Sequence, residues 1–214
     1  VDLKLMREKF FECLDKSRLS EIDHILNTML HAFHCSINVD SNDLDWVVVK
    51  ETSIEIYAIE LSQLYPNAKF IQLIRDPRDN YASLKSGVEK HYKLFGENEK
   101  HSLFSLITRY THGFKAAKNN SKILGKSKYK TIKFEDLCKQ PMQAMTEISK
   151  YLNVDFNKNF MSPTVLGKNT SGNNYEGEKF FDVSNKNVGR WEERISAYEA
   201  KVIEYHFEEY MKNF

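Results

Sequence analysis

Arg75, Asp76, Pro77, Asp79 and Ser83 stand in an order that could hold a small anion. The five residues before them, Phe70 to Ile74, form a short apolar run with β-branched members, which predicts a buried strand ending at Arg75. Asp76 is a good helix N-cap, and Pro77 suits the first helical position, where its missing N–H costs nothing. A strand, a cation at its tip and a helix start together outline an anion site. The helix N-terminus supplies unpaired N–H groups, and a guanidinium adds a planar fork of donors. Ser83 falls about two turns into that helix, with Asp79 one turn earlier on the same face. The pattern leaves two uses of Arg75 open: pairing with Asp76 or Asp79, or donating to a bound anion.

Further upstream, Trp46-Val47-Val48-Val49-Lys50 is an apolar run that ends on a cation, which predicts a second buried strand. Thr52 or Ser53 can cap a helix running to about Tyr65, before Pro66. Residues 46–74 therefore read as a strand–helix–strand unit with parallel strands and a right-handed crossover. Lys50 and Arg75 then both sit at strand ends, the edge where open α/β sheets bind ligands. Glu51-Thr52-Ser53 also has a plainer reading, an acidic residue near the positive end of a capped helix.

The segment Leu64-Tyr65-Pro66-Asn67-Ala68-Lys69-Phe70 through Ile74-Arg75-Asp76-Pro77-Arg78-Asp79 to Ser83 resembles the 3′-phosphate-binding segment of sulfotransferases that use 3′-phosphoadenosine 5′-phosphosulfate (PAPS). The resemblance implies that Arg75 and Ser83 bind the 3′-phosphate of the nucleotide. A second block is similar too: Tyr129 to Phe134, then Glu135-Asp136-Leu137, Pro141 and an amphipathic helix. Many members carry Tyr where this chain has Phe134, so a hydroxyl contact is replaced by ring packing. Near the C-terminus, Gly189-Arg190-Trp191 resembles the loop that returns cations to the 3′-phosphate, which makes Lys186 and Arg190 candidates, although other members have a denser cluster there.

The family's chemistry demands a clamped donor, neutralised charge on the bridging oxygen and a deprotonated acceptor. By resemblance Lys50 neutralises that charge, Glu51 is the general base, and Glu55 one turn later is its reserve. No metal is required, and PAPS is the co-substrate. One departure stands out. The family opens with a strand and a loop of the Lys/Arg-Ser-Gly-Thr type for the 5′-phosphosulfate, and this sequence has no glycine before Gly87. The sequence is expected either to lack its first part or to be a non-catalytic relative that binds a nucleotide or a partner. A glycine-loop kinase is disfavoured, because its phosphate loop is missing as well.

The implied fold class is α/β, a parallel sheet flanked by helices, with the P-loop NTPase-like sulfotransferase core. Its 214 residues suit a single domain, with a helical segment over 1–45 and a family-like core over 46–210. A net charge of +1 excludes a general nucleic-acid binder. Cys13, Cys35 and Cys138 are widely spaced and odd in number, and His31-x-x-His34-Cys35 has no zinc-type companion, so free thiols in a reducing compartment are expected. No apolar run approaches a membrane span, which suggests a cytoplasmic protein, or a Golgi-lumen one if an N-terminal anchor has been removed. The acceptor stays open among small-molecule, glycan, lipid and peptide hydroxyls or an amine, and the oligomeric state is open too.

Helices are expected over 3–16, from Ser20 (boxed with Asp23) to Phe33, over 103–124, from Pro141 to Leu152 and over 195–211. The polar stretch 85–100, with His91, Tyr92 and Phe95, reads as an exposed loop. The stretch 167–177 reads as an irregular surface segment.

Overall fold

The computed structural model describes residues 1–40, 44–90, 98–165, 168–171 and 177–213. The aromatic loop residues His91 to Gly96, and residues 167 and 172–176 of the stretch read as an irregular surface segment, lie outside the described residues. The chain divides into two compact units, Val1–Thr52 and Ser53–Phe214.

In the first unit, α1 (Leu3–Cys13) packs against α2 (Ile22–Ser36). Asp2 caps α1 by accepting from the N–H groups of Lys4 and Leu5 at 3.0 Å. The helix begins at Ile22 with Glu21 rather than Ser20 at its cap. Glu21 occupies the cap position without a side-chain cap bond, because its carboxylate is drawn to Arg18 at 2.6 Å. The second half of the unit corrects a larger expectation. Among the described residues Trp46 to Lys50 forms no strand and pairs with none, and Val48 is 85% exposed. A strand is stabilised by its cross-strand neighbours, so an apolar run without a partner ladder does not become one. The strand–helix–strand unit over 46–74 is therefore not present.

In the second unit a 3-10 turn (Ile54–Tyr57) leads into α3 (Ala58–Leu64) and then β1 (Phe70–Ile74). The helix is shorter than expected and has no side-chain cap from Thr52 or Ser53. β1 pairs in parallel with β2 (Tyr129–Lys133), Phe70 opposite Tyr129 and Ile74 opposite Lys133. The crossover between them is α4 (Pro77–Lys90) and α5 (Glu99–Leu124). Then follow α6 (Phe134–Lys139), α7 (Pro141–Leu152), a two-residue hairpin of β3 (Thr164–Val165) and β4 (Lys168–Asn169), α8 (Trp191–Arg194) and α9 (Ala197–Asn213). The α/β class with a parallel sheet and flanking helices is thus observed. Among the described residues no helix is long and apolar enough to cross a membrane.

The core of this unit lies between α4, α5 and α9. Tyr81 and Ala82 from α4, Leu106 and Phe114 from α5, and Ile203 and Phe207 from α9 are buried together with Ile74 at the end of β1. Phe114 stacks on Tyr210 with ring centroids 4.9 Å apart and also meets Phe207. One face of the sheet is tied to α5 by polar contacts: Gln72 donates to the carbonyl of Gly113 at 3.0 Å and accepts from the Tyr129 hydroxyl at 2.6 Å. On the other face Ile71 and Leu73 of β1 remain 40% and 51% exposed.

Glu199 pins α9 to α4. Its carboxylate accepts from the Tyr81 hydroxyl at 2.8 Å, the Lys85 ammonium at 3.0 Å and the Ser196 backbone and hydroxyl. Burial alone would raise this carboxyl, but those donors overcome it and pull it down to about 2. A carboxylate depressed in the folded state stabilises fully above its unfolded value near 4.5 and loses that contribution as pH falls through about 2. Glu199→Gln should cost about 1–2 kcal/mol at neutral pH once solvent screening of this partly exposed carboxylate is allowed for, and the gap to the unmodified protein should close between pH 4.5 and 2. Thermal melts across that range check this; a constant gap would remove Glu199 as the source.

Candidate active site

The parallel register places the residues that follow the two strands side by side. Ile74 is opposite Lys133, so Arg75 and Phe134 are the next pair at the carboxyl edge. The Arg75 guanidinium accordingly lies 4.6 Å from the centroid of the Phe134 ring, a cation–π contact. Its Nη2 donates to the carbonyl of Asn187 at 2.6 Å, while its Nε is buried without a hydrogen-bond partner. Among the described residues Arg75 makes no ion pair with a carboxylate, so pairing with Asp76 or Asp79 is not its use.

Both of those acids are committed elsewhere. Asp76 caps α4 by accepting from the Arg78 N–H at 2.8 Å and binds the Arg78 guanidinium at 2.6 Å. Arg78 in turn lies 4.1 Å over the Trp191 ring and reaches Glu204 at 2.8 Å. The Asp76 N–H donates to Glu135 at 2.9 Å, which closes the corner between the two strand ends. Asp79 is 2% exposed and accepts from the backbone N–H groups of Gly189 at 2.7 Å and Trp191 at 3.0 Å. Gly189 has φ +80°, a conformation glycine adopts without strain, and it turns the chain so that both N–H groups face Asp79.

The loop held by Asp79 brings two of the candidate cations with it. Arg190 donates to the Asn187 side chain at 3.0 Å, one residue's width from the Arg75 contact. Lys186 is exposed and lies 5.9 Å from the Phe180 ring, a position less committed to Arg75. Ser83 is half-buried on α4, and its hydroxyl enters none of the hydrogen bonds among the described residues. Two participants were not singled out from the sequence: Asn187 receives Arg75, and Arg194 lies within electrostatic reach of both Asp79 and Arg75. Asp79, read from the sequence only as a possible pair for Arg75, anchors the loop instead. Burial pushes the Arg194 guanidinium down, Asp79 opposes this and Arg75 adds to it. Clustered guanidiniums with a donor left over are the makings of an anion site. The Gly189-Arg190-Trp191 turn was the available signal for Asp79, since a buried acid one turn into α4 needs donors from outside its helix.

The candidate catalytic residues are distributed differently. Lys50 and Glu51 belong to the first unit; Lys50 is exposed, and the Glu51 carboxylate accepts from the Thr52 N–H at 2.6 Å. Glu55 opens the second unit, half-buried, and its carbonyl accepts from Asn120 on α5 at 2.7 Å. Its carboxylate lies beside Gly113 and Gln72, at the middle of β1. Among the described residues no group of three or more His, Cys, Asp or Glu side chains could hold a metal.

The family model described as "Sulfotransferase family" matches residues 2–158. The chain belongs to the sulfotransferase family. The match covers Arg75, Ser83 and Phe134 and also the helical segment ahead of residue 46, but stops before the 184–190 loop. Two solved structures are similar to this sulfotransferase in fold. The sulfotransferase domain from the curacin biosynthetic pathway is 19% identical, with a TM-score of 0.57 over 95% of this chain and 78% of that one. The sulfotransferase domain from the Synechococcus PCC 7002 olefin synthase is 16% identical, with a TM-score of 0.54 over 95% and 74%. Among curated proteins none matches.

The loop geometry has a direct test. Asp79→Ala leaves the N–H groups of Gly189 and Trp191 without their acceptor, which should cost about 1–2 kcal/mol. Amide hydrogen exchange at those two residues should accelerate, while the Glu199 contacts stay protected. Unchanged exchange at Gly189 and Trp191 would mean that Asp79 does not hold the loop.

Proposed function

We propose that this sulfotransferase binds PAPS through the 3′-phosphate at Arg75 and transfers its sulfuryl group to an acceptor hydroxyl or amine. The observation that carries the reading is Arg75 itself: a guanidinium at the carboxyl end of β1, stacked on Phe134, with a buried Nε that has no protein partner. A phosphate dianion would satisfy such a fork with short, charge-assisted bonds. The N-terminus of α4, Ser83, Arg190 and Arg194 add donors and positive potential on the same side. Lys186 is the most loosely held of the candidate cations and contributes charge from the loop.

The reaction attacks sulfur with the acceptor oxygen or nitrogen while the bond to the 5′-phosphate oxygen breaks. It yields the sulfated acceptor and 3′-phosphoadenosine 5′-phosphate, and the acceptor proton passes to a base. Lys50 as the partner of the bridging oxygen and Glu51 as the base, with Glu55 in reserve, come to this reading from the family resemblance. The alternative reading is a sulfotransferase-like module that binds a nucleotide or a partner without transfer.

Calorimetric titration with 3′-phosphoadenosine 5′-phosphate, against the analogue lacking the 3′-phosphate, tests the site. The first should bind in the micromolar range and the second at least tenfold more weakly. Arg75→Ala should abolish the difference, a loss on the order of 100-fold for a charge-assisted pair. Arg75→Lys should recover part of it, since charge returns without the planar fork. Equal binding of the two nucleotides by the folded protein would sink the reading.

Turnover separates the second question. Lys50→Ala and Glu51→Gln should each lower kcat by about 100-fold or more and leave the nucleotide affinity within a factor of two. Glu55→Gln should leave kcat within a fewfold. A kcat loss confined to Glu55→Gln would transfer the base to that residue, and no transfer to any acceptor would favour the binding module.

A further inference from the structure

Charge in this chain is segregated. Residues 100–133 hold nine lysines and arginines and no aspartate or glutamate, while the whole sequence has a net charge of +1, so the remaining residues carry a net −8. The run begins in α5 and passes through the following turn into β2. Arg109, Lys115, Lys118 and Lys122 on α5 and Lys126 in the turn are all exposed. Among the described residues Lys118 alone of these five makes an ion pair, with Glu209 at 3.4 Å, and both side chains of that pair are mostly solvated. A pair so exposed neutralises little.

The cations share their face with apolar groups. Phe104, Lys115 and Lys122 are separated by about three and two helical turns, so they form one stripe along the 26-residue helix, with Lys118 and Ile123 on its flanks. Phe104 is 72% exposed and Ile123 56%. They stand 19 residues apart, about 28 Å along the axis. On α9, Tyr205 is 83% exposed and lies one turn before Glu209, the partner of Lys118, so its ring stands beside the stripe. Cations near a helix C-terminus also favour the macrodipole. That effect is confined to the last turn, so it accounts for Lys122 and not for Arg109 or Lys115.

The outer face of a single helix is a convex ridge, with no walls to enclose a small anion. Eight of the nine cations in the run are lysines. Arginine's planar fork is what reads phosphates held in fixed geometry, as in a nucleic acid; lysine is a point charge on a stem that lies along apolar surface. Point charges on flexible stems, with an exposed apolar side chain towards each end, match the headgroups and the acyl boundary of an anionic bilayer. We propose that α5 docks flat on an anionic lipid surface, its lysines among the headgroups and Phe104 and Ile123 at the acyl boundary. The net −8 carried by the remaining residues is repelled by the same surface, which orients the molecule with this face towards it. The attachment lies in the plane of the membrane and is independent of the Arg75 reading.

The test is co-sedimentation of the whole chain with vesicles of mixed phosphatidylcholine and phosphatidylserine, against phosphatidylcholine alone. The protein should sediment with the mixed vesicles only, and about 0.5 M salt should release it. Replacing Lys115, Lys118, Lys122 and Lys126 together by Gln should lower the partition coefficient by about 100-fold or more. Glutamine is as good a helix former as lysine, so the melting temperature should move by no more than a few degrees. A control variant with Lys139, Lys150, Lys158 and Lys179 replaced by Gln removes the same charge from exposed positions outside the run, and should partition within about threefold of the parent. Phe104→Ser should weaken binding about tenfold. Phe104→Trp should be quenched by brominated acyl chains beyond the background of the two native tryptophans.

No sedimentation with the mixed vesicles at low salt overturns the docking face. An equal loss in the control variant also overturns it, because the attraction would then follow net charge and not this helix. Binding of soluble polyglutamate as tight as that of the vesicles, with Phe104→Trp unquenched, overturns the lipid surface in favour of an acidic chain. Loss in the α5 variant, retention in the control and quenching of Phe104→Trp together establish α5 as the face that meets the bilayer.

Discussion

The in-register parallel pairing of β1 with β2 is the constraint on which the described site depends. Because Ile74 is opposite Lys133, the chain leaves both strands at the same level and on the same edge. Arg75 and Phe134 meet there although 59 positions separate them in sequence, and Asp76 and Glu135 meet one step later at 2.9 Å. A shift of one residue in that ladder would turn every side chain of β2 to the opposite face and separate all four. The ladder is itself held by Gln72, whose side chain joins the α5 backbone to the Tyr129 hydroxyl, so register and helix packing support one another.

The acids around Arg75 are as important as the arginine. Asp76 serves the helix cap and Arg78, Asp79 serves two loop amides, and Glu135 serves the Asp76 N–H. Each carboxylate that could have neutralised Arg75 is therefore saturated by another donor. The guanidinium keeps its charge uncompensated at the mouth of a helix N-terminus, and its own contacts are a carbonyl and an aromatic face. Both hold the side chain in place without satisfying its demand for an anion. The core beneath is apolar and aromatic, and the half-buried Glu199 cluster fixes α9 on α4, next to the segment that keeps Trp191 over Arg78.

What the sequence determined by itself was local. Asp76 and Pro77 announce a helix start, Phe70 to Ile74 and Tyr129 to Lys133 announce strands, and the arginine-to-serine spacing identifies the family, because each signal is written within about 15 residues. The α/β class and the anion-site outline followed from those signals. Pairing was not local. Trp46 to Lys50 has the composition of a strand and is not one, since that state depends on a neighbour that composition does not specify. Whether Arg75 spent its charge on Asp76 or Asp79 was undecided by spacing; Arg78, Gly189 and Trp191 decided it by taking those carboxylates first. Asn187 and Arg194 joined the site for the same reason: a buried acid on α4 captured their loop. Only the tertiary structure brings residues 110 positions apart within hydrogen-bond range, so only it could say which charge was left for a ligand.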